Sequence, residues 1–317
     1  MRTTYVGAAF ATISSVAWGG MFVIGKSALD RVDAFHLTTL RYLAASLILL
    51  ALLAAVEGVH ALRLDGRGRR LFVLGTLGFA GFNLLAFTGL AHARPESAAL
   101  IVALAPLLTA VVLWLRSSVR PARATLVALI VALAGVALVI SGGDPASIVQ
   151  GSIGWGDALV LGGVLSFVLY TLGAAEFGDF SPLRYTALTA GLGWLTIAGA
   201  TAVATLSGLE PEPSAAAVGA IVPQLAYVAL VGAVIAVLAW NASVGSIGPQ
   251  NAVLFGNLIP VTTFVIQTIR GYRPGVLELV GATVTVVALV ANNLLTRRRA
   301  RPAERSDELA EPLAEAA

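Results

Sequence analysis

Along the chain, apolar and polar positions alternate in long blocks. There are ten apolar runs, near residues 5–26, 36–56, 71–91, 95–115, 123–141, 156–176, 183–207, 217–239, 247–269 and 275–296. Each is about long enough to cross a hydrocarbon core of roughly 30 Å as a helix. Short breaks separate them, among them Arg63-Leu64-Asp65-Gly66-Arg67, Arg94-Pro95, Gly142-Gly143-Asp144-Pro145, Ser181-Pro182, Glu210-Pro211-Glu212-Pro213, Gly248-Pro249 and Arg273-Pro274. Proline suits the first turn of a helix, because the amide it lacks has no partner there. The pattern predicts an all-α integral membrane protein of ten transmembrane helices. The first run, Tyr5 to Ile24, is long enough to span and lacks a small-residue cleavage site, so it reads as a span and not as a removable signal.

The blocks also repeat. Shifting the chain by 154 residues aligns Leu74–Arg116 with Val228–Arg270 without a gap, and ten of these 43 positions are identical. The informative matches are Gly78/Gly232, Pro95/Pro249 and Pro106/Pro260. In each copy a proline lies 11 residues beyond the first, at the middle of the predicted span, where it costs about 3 kcal/mol in water. Membrane helices accept such a break when neighbours or water satisfy the carbonyl it frees. A unit of five spans is odd in number, so the second copy enters the membrane in the opposite sense. The expected organisation is a first repeat over 1–145, an inverted second repeat over 146–298 and a disordered cytoplasmic tail over 299–317. Inverted repeats are a recurring plan of transporters, with substrate held near the midplane beside interrupted helices.

Composition agrees with a lipid solvent: 58% of residues are hydrophobic and 12% charged, with mean hydropathy +0.89. A soluble domain carries about 25% charged residues. The absence of cysteine excludes disulfides, thiolate metal sites and thiol catalysis. The net charge of +3 does not indicate nucleic acid, since the arginines cluster between apolar runs. They set orientation instead. With the N-terminus inside, 14 of the 20 cations are cytoplasmic; the other six are Lys26, Arg31, Arg41, Arg94, Arg270 and Arg273. Both termini are therefore expected in the cytoplasm, in a bacterial inner membrane.

The chain resembles the EamA-type members of the drug/metabolite transporter superfamily. The stretch Ala17-Trp18-Gly19-Gly20-Met21-Phe22-Val23-Ile24-Gly25-Lys26 is similar to the family's Trp-Gly then Lys pattern, and Arg41-Tyr42-Leu43-Ala44-Ala45 to its arginine early in span two. The runs ending in Pro106 and Pro260 resemble its repeated motif in spans four and nine. It departs from the family where a glutamate and an arginine usually follow spans four and nine: here Val119-Arg120-Pro121 and Tyr272-Arg273-Pro274 stand there. Asp33-Ala34-Phe35 replaces a proline usual between spans one and two. The resemblance implies a transporter, an exporter or facilitator, for small polar or amphipathic metabolites such as amino acids, working as a monomer or homodimer.

Charge inside hydrocarbon marks candidate function. Glu96, Asp157 and Glu278 fall in first turns, where the helix dipole accounts for a carboxylate. No carboxylate lies near a midplane. That argues against the alternative of a proton-coupled multidrug exporter, which in related small antiporters uses a glutamate in helix one. Lys26 and Arg41 are either snorkelling cations or gating and substrate-carboxylate contacts. Trp18, Asn83, Tyr170 and Asn257 are candidate substrate contacts, and Pro106 and Pro260 candidate helix breaks. Trp240 reads as an interfacial anchor. The spacing of Ala124, Ala128, Ala132 and Gly135 suits close helix packing. The three histidines have no metal-ligand spacing, and no phosphate loop or nucleophile elbow is present. No cofactor is expected, and an intramembrane enzyme acting on lipid-linked substrates, the reading from another class, lacks its carboxylates or metal ligands.

Overall fold

The computed structural model describes residues 2–117, 120–142, 144, 154–247, 252, 255–292 and 294–295, and they contain helices and no strand. The helices are α1 (Arg2–Leu29), α2 (Ala34–Glu57), α3 (Gly68–His92), α4 (Pro95–Ala103), α5 (Ala105–Ser117), α6 (Arg123–Ile140), α7 (Trp155–Gly173), α8 (Pro182–Leu206), α9 (Val222–Val244), α10 (Leu258–Ile269) and α11 (Val276–Asn292). Seven are long and apolar enough to cross a membrane, and α4 with α5 makes an eighth if that bent pair is one span. α10 and α11 are shorter apolar helices. The expected tail over 299–317, Val119 and Pro145 lie outside the described residues.

The polar breaks in the sequence act as caps. Asp33 accepts the amides of Phe35 and His36 at 2.9 and 3.0 Å to start α2, which satisfies donors that have no partner inside the helix. Gly58, at φ +87°, stops α2. Ser181 caps α8 through the Arg184 amide at 2.9 Å, with Pro182 at the first helical position. Pro95 occupies the same position in α4.

The two repeat prolines, candidate helix breaks in the sequence, lie just after helix starts. The helix breaks just upstream of Pro106, at Leu104, with a bend of 45°, and α5 restarts at Ala105. Similarly, α10 begins at Leu258, two residues before Pro260. In both places the proline lies in a first turn, where its missing amide loses nothing.

A second symmetric feature was not expected. Within α3, residues Thr76–Gly81 form a π-helical stretch, and within the α9 region Tyr227–Ile235 form another. Adding the repeat offset of 154 to 76–81 gives 230–235, inside the second stretch. Widened turns of this kind are rare and occur mostly as single insertions in α-helices. Each presents a glycine to a large side chain. A Cβ on Gly78 would lie 2.4 Å from Tyr170 Cγ, and one on Gly232 2.9 Å from Met21 Sδ. Carbonyls of both stretches accept side-chain donors from other helices: Ser166 Oγ to Leu77 O at 2.8 Å and Trp18 Nε1 to Gly232 O at 3.0 Å.

Close backbone approach fixes other crossings. α3 meets α8 where Gly75 faces the Thr189 carbonyl and Gly193. The small-residue stripe of α6 packs within the chain: Gly135 lies against the Gly281 carbonyl of α11, and Thr285 Oγ1 donates to Ala132 O at 3.3 Å. The large apolar side chains left outside, such as Leu47, Ile130, Leu195 and Leu206, suit acyl chains.

Gly75→Val places side-chain carbon on a backbone carbonyl, since even a Cβ there would be 2.3 Å from Thr189 O. It is expected to destabilise the purified protein by about 1–3 kcal/mol or more. Gly199→Ala, in open space within α8, is expected to stabilise it by up to about 1 kcal/mol. Thermal unfolding in detergent measures both.

Candidate functional site

A chain of polar and aromatic side chains runs through the bundle interior. Arg41 lies on the eighth residue of α2, about 10 Å along it at 1.5 Å per residue, and is 2% exposed. Its Nη1 donates to Asn83 Oδ1 at 3.1 Å and its Nη2 to Met21 Sδ at 3.0 Å. The Tyr42 and Phe87 rings flank the guanidinium at 4.9 and 5.1 Å. Asn83 is fully buried, and its Nδ2 donates to Phe79 O of the widened turn at 2.9 Å, which fixes the direction of its Oδ1. From Phe79 the contacts continue through rings: Tyr42 at 5.4 Å, Tyr170 at 5.5 Å, then Tyr170 to Tyr185 at 5.2 Å and Tyr185 to Phe177 at 5.5 Å. Tyr170 OH lies 3.4 Å from Thr189 Oγ1.

The structure therefore brings Arg41, Asn83 and Tyr170 into one connected group. Trp18 joins it from the other side, since its carbonyl partner Gly232 also touches Met21. Trp240 packs on Trp18 with ring centres 5.5 Å apart, so it is part of this cluster and not a free interfacial anchor. Asn257 is buried immediately before α10, and Lys26 lies apart from the group.

Lys26 is not snorkelling. Its Nζ donates to Leu90 O at 2.7 Å and Ala91 O at 2.6 Å, the last carbonyls of α3, where a cation meets the negative end of the helix dipole. It borders a cavity of about 360 Å³ lined also by Ser27, Asp30, Gln267, Arg270 and Tyr272. Beside this cavity, Arg94 donates to Tyr272 Oη at 2.8 Å, to Glu278 Oε1 at 2.5 Å and to the Val139 carbonyl. Tyr272 donates to Glu278 at 2.7 Å. Burial opposes the charge on Arg94, but Glu278 and Tyr272 more than offset this and hold its pKa above the ordinary value. Burial, and then the bond to Glu278, push the Tyr272 phenol up, so it remains a donor. Glu278 thus has a counter-ion beyond the helix dipole expected for it, and sequence offered no signal for the pairing, because 184 residues separate the partners.

The opposite end of the bundle is tied by four contacts. Arg67 pairs with Asp179 at 2.5 Å, Arg184 with Asp65 at 2.7 Å, Arg70 with Glu176, and Ser181 donates to Glu57 at 2.5 Å. Arg67 and Arg184 also stack over Phe180 at 4.3 and 3.9 Å. These contacts join the ends of α2, α3, α7 and α8 beside Phe177 and Phe180. Among the described residues no group of acids and histidines is placed to hold a metal ion.

A family model described as the EamA-like transporter family matches residues 5–141 and again 154–294. The chain belongs to that family. Two Bacillus subtilis (strain 168) proteins are similar to this EamA chain over most of its length. The uncharacterized transporter YrdR is 30% identical over 302 residues, 93% of each chain. The uncharacterized transporter YyaM is 28% identical over 277 residues, 87% of this chain and 90% of its own. A crystal structure of a 21% identical protein matches with a TM-score of 0.63, covering 93% of the EamA chain and 99% of its own, a likeness of fold. The family resemblance drawn from Trp18, Lys26, Arg41 and the paired prolines therefore holds, and the protein is a membrane protein of a transporter family.

Two outcomes follow from these contacts. Arg67 and Arg70 hold Asp179 and Glu176 below the usual carboxylate range through direct hydrogen bonds. Their pairing therefore contributes fully above that range and is lost as pH falls through the lowered values. Wild-type protein is expected to lose more unfolding temperature between about pH 5 and pH 3 than the double variant Arg67→Gln/Arg70→Gln. At the other end, Arg94→Gln is expected to cost about 1–3 kcal/mol, leaving Glu278 without its counter-ion. Glu278→Gln added to that variant should cost less than it does alone, which a double-mutant cycle measures.

Proposed function

We propose that this protein carries small polar or amphipathic metabolites, amino acids among them, out of the cell by alternating access. In this reading ten helices span the bacterial inner membrane, with α4 and α5 forming one, and both termini are cytoplasmic. The repeats are 1–145 and 146–298.

The observation that carries the reading is the relation between the two halves. α1 runs toward the end where Lys26 caps α3, whereas α7 starts at that end, with the Trp155 and His92 rings tilted against each other at 4.1 Å. This order of helix ends supports an inverted arrangement of the two copies. Met21 of the first repeat against Gly232 of the second corresponds to Tyr170 of the second against Gly78 of the first. Between these matched contacts lies the buried group around Arg41 and Asn83. The cavity beside Lys26 lies at one end, and the Arg67 and Arg70 pairs tie helices at the other. Rocking of one repeat against the other, with Pro106 and Pro260 at the helix restarts, then exposes the buried group to each side in turn.

Solute flux in proteoliposomes tests this. Labelled amino acids and other small metabolites should cross faster than in protein-free liposomes, and Asn83→Leu should abolish the flux while leaving folded protein. Indifference of that flux to an imposed pH gradient is expected from the absence of a midplane carboxylate. Folded protein that moves no member of a broad panel would count against transport.

A further inference from the structure

Arg41 carries a buried charge that has no carboxylate counter-ion among the described residues. It takes part in none of the ion pairs found among the described residues. A guanidinium has five N–H donors. Here one bonds the Asn83 amide oxygen and one a thioether, a weak acceptor, while the buried Nε has no partner. One turn away on the same face of α2, the Thr38 hydroxyl is also buried, 1% exposed, and without a partner. An uncompensated buried cation is expensive, and an apolar side chain of similar volume would pack there at lower cost.

We infer that Arg41 is the binding site for the carboxylate of a small organic monoanion, which displaces the Met21 thioether and takes the Thr38 hydroxyl as a second contact. This rests on the transporter reading above and names its substrate class. Three features define the ligand. The planar fork of arginine suits a carboxylate by paired hydrogen bonds. Lys26 is committed to the Leu90 and Ala91 carbonyls and Arg94 to Glu278, and Arg270 lines the Lys26 cavity and not the surroundings of Arg41, so Arg41 is the one cation at its own site among the described residues. A dianion such as phosphate would therefore leave one charge unpaired. Tyr42, Phe87 and Met21 surround the guanidinium with apolar surface, so the body of the ligand is apolar. Asn83 is a positioning residue: its Nδ2 donates to Phe79 O and its Oδ1 accepts from Arg41, so it holds the guanidinium in place.

The test uses the full-length protein in detergent and thermal unfolding with acetate, benzoate, the matching amides and inorganic phosphate as probes. Benzoate should raise the unfolding temperature more than benzamide or phosphate. Arg41→Met should raise the half-saturating benzoate concentration at least about tenfold, the loss of one charge-assisted contact. Unliganded, it should melt at or above the wild-type temperature. Arg41→Lys should fall between. The inference is overturned if amides or phosphate stabilise as well as carboxylates, or if Arg41→Met binds benzoate as wild type does. Failure of both Arg41→Met and Arg41→Gln to fold would make the guanidinium structural and would also overturn it. Liposomes separate this from the transport reading. Flux of neutral or cationic solutes that benzoate does not inhibit would reject the carboxylate site and keep transport. Benzoate binding that depends on Arg41, in protein that moves no solute, would keep the site and reject transport.

Discussion

Hydrocarbon offers no hydrogen bonds, and most of the polar architecture of this protein answers that constraint. A carbonyl that leaves its helical ladder must find a donor inside the protein. The two widened turns do so with Ser166 and Trp18, and with Asn83 on Phe79. The ends of helices are treated in the same way. Lys26 covers the last carbonyls of α3, and Arg94 those of α6. Cations that a hydropathy plot shows as interruptions are here terminal donors, placed where the helix dipole favours positive charge.

Much of the fold was legible because its boundaries are written in residues with strict backbone preferences. Asp33, Gly58, Pro95 and Ser181-Pro182 cap or end helices for local reasons, and local reasons can be read from sequence. The repeat was legible through Gly78, Gly232 and the proline pairs. The widened turns were not, since an α-helical and a π-helical stretch have the same hydropathy and differ only in which amide meets which carbonyl. The detailed form of the helix breaks at Pro106 and Pro260 was hidden for a related reason. A proline inside an apolar run marks a break, but whether the chain kinks around it or restarts before it depends on the neighbours.

The candidate site was legible in part. Arg41, Asn83, Tyr170 and Trp18 stood out because polar atoms in an apolar run are costly. Met21 was invisible, as one more apolar residue in span one, although it touches both Arg41 and Gly232. The Arg94–Glu278 pair was hidden by distance along the chain. The halves are also chemically unequal in a way that alignment of the repeats did not reveal. The contact of Arg41 with Met21 in one half has as its counterpart the contact of Thr189 with Tyr170, 148 and 149 residues further on. One half-site is cationic and the other only hydroxylic, so duplication supplied the frame and left the two copies free to differ in charge.

That inequality has an electrical side. With its guanidinium unpaired, the empty protein holds one positive charge inside the low-dielectric slab; with a carboxylate bound, the site is neutral. A membrane potential acts on charge that changes its position in the field, at about 2.3 kcal/mol per elementary charge per 100 mV for a full crossing. In the proposed cycle the loaded conformational step would be indifferent to voltage, while the empty return step would be driven or opposed by it. An arginine in one half, with a threonine at the counterpart position of the other, would make turnover depend on the sign of the membrane potential.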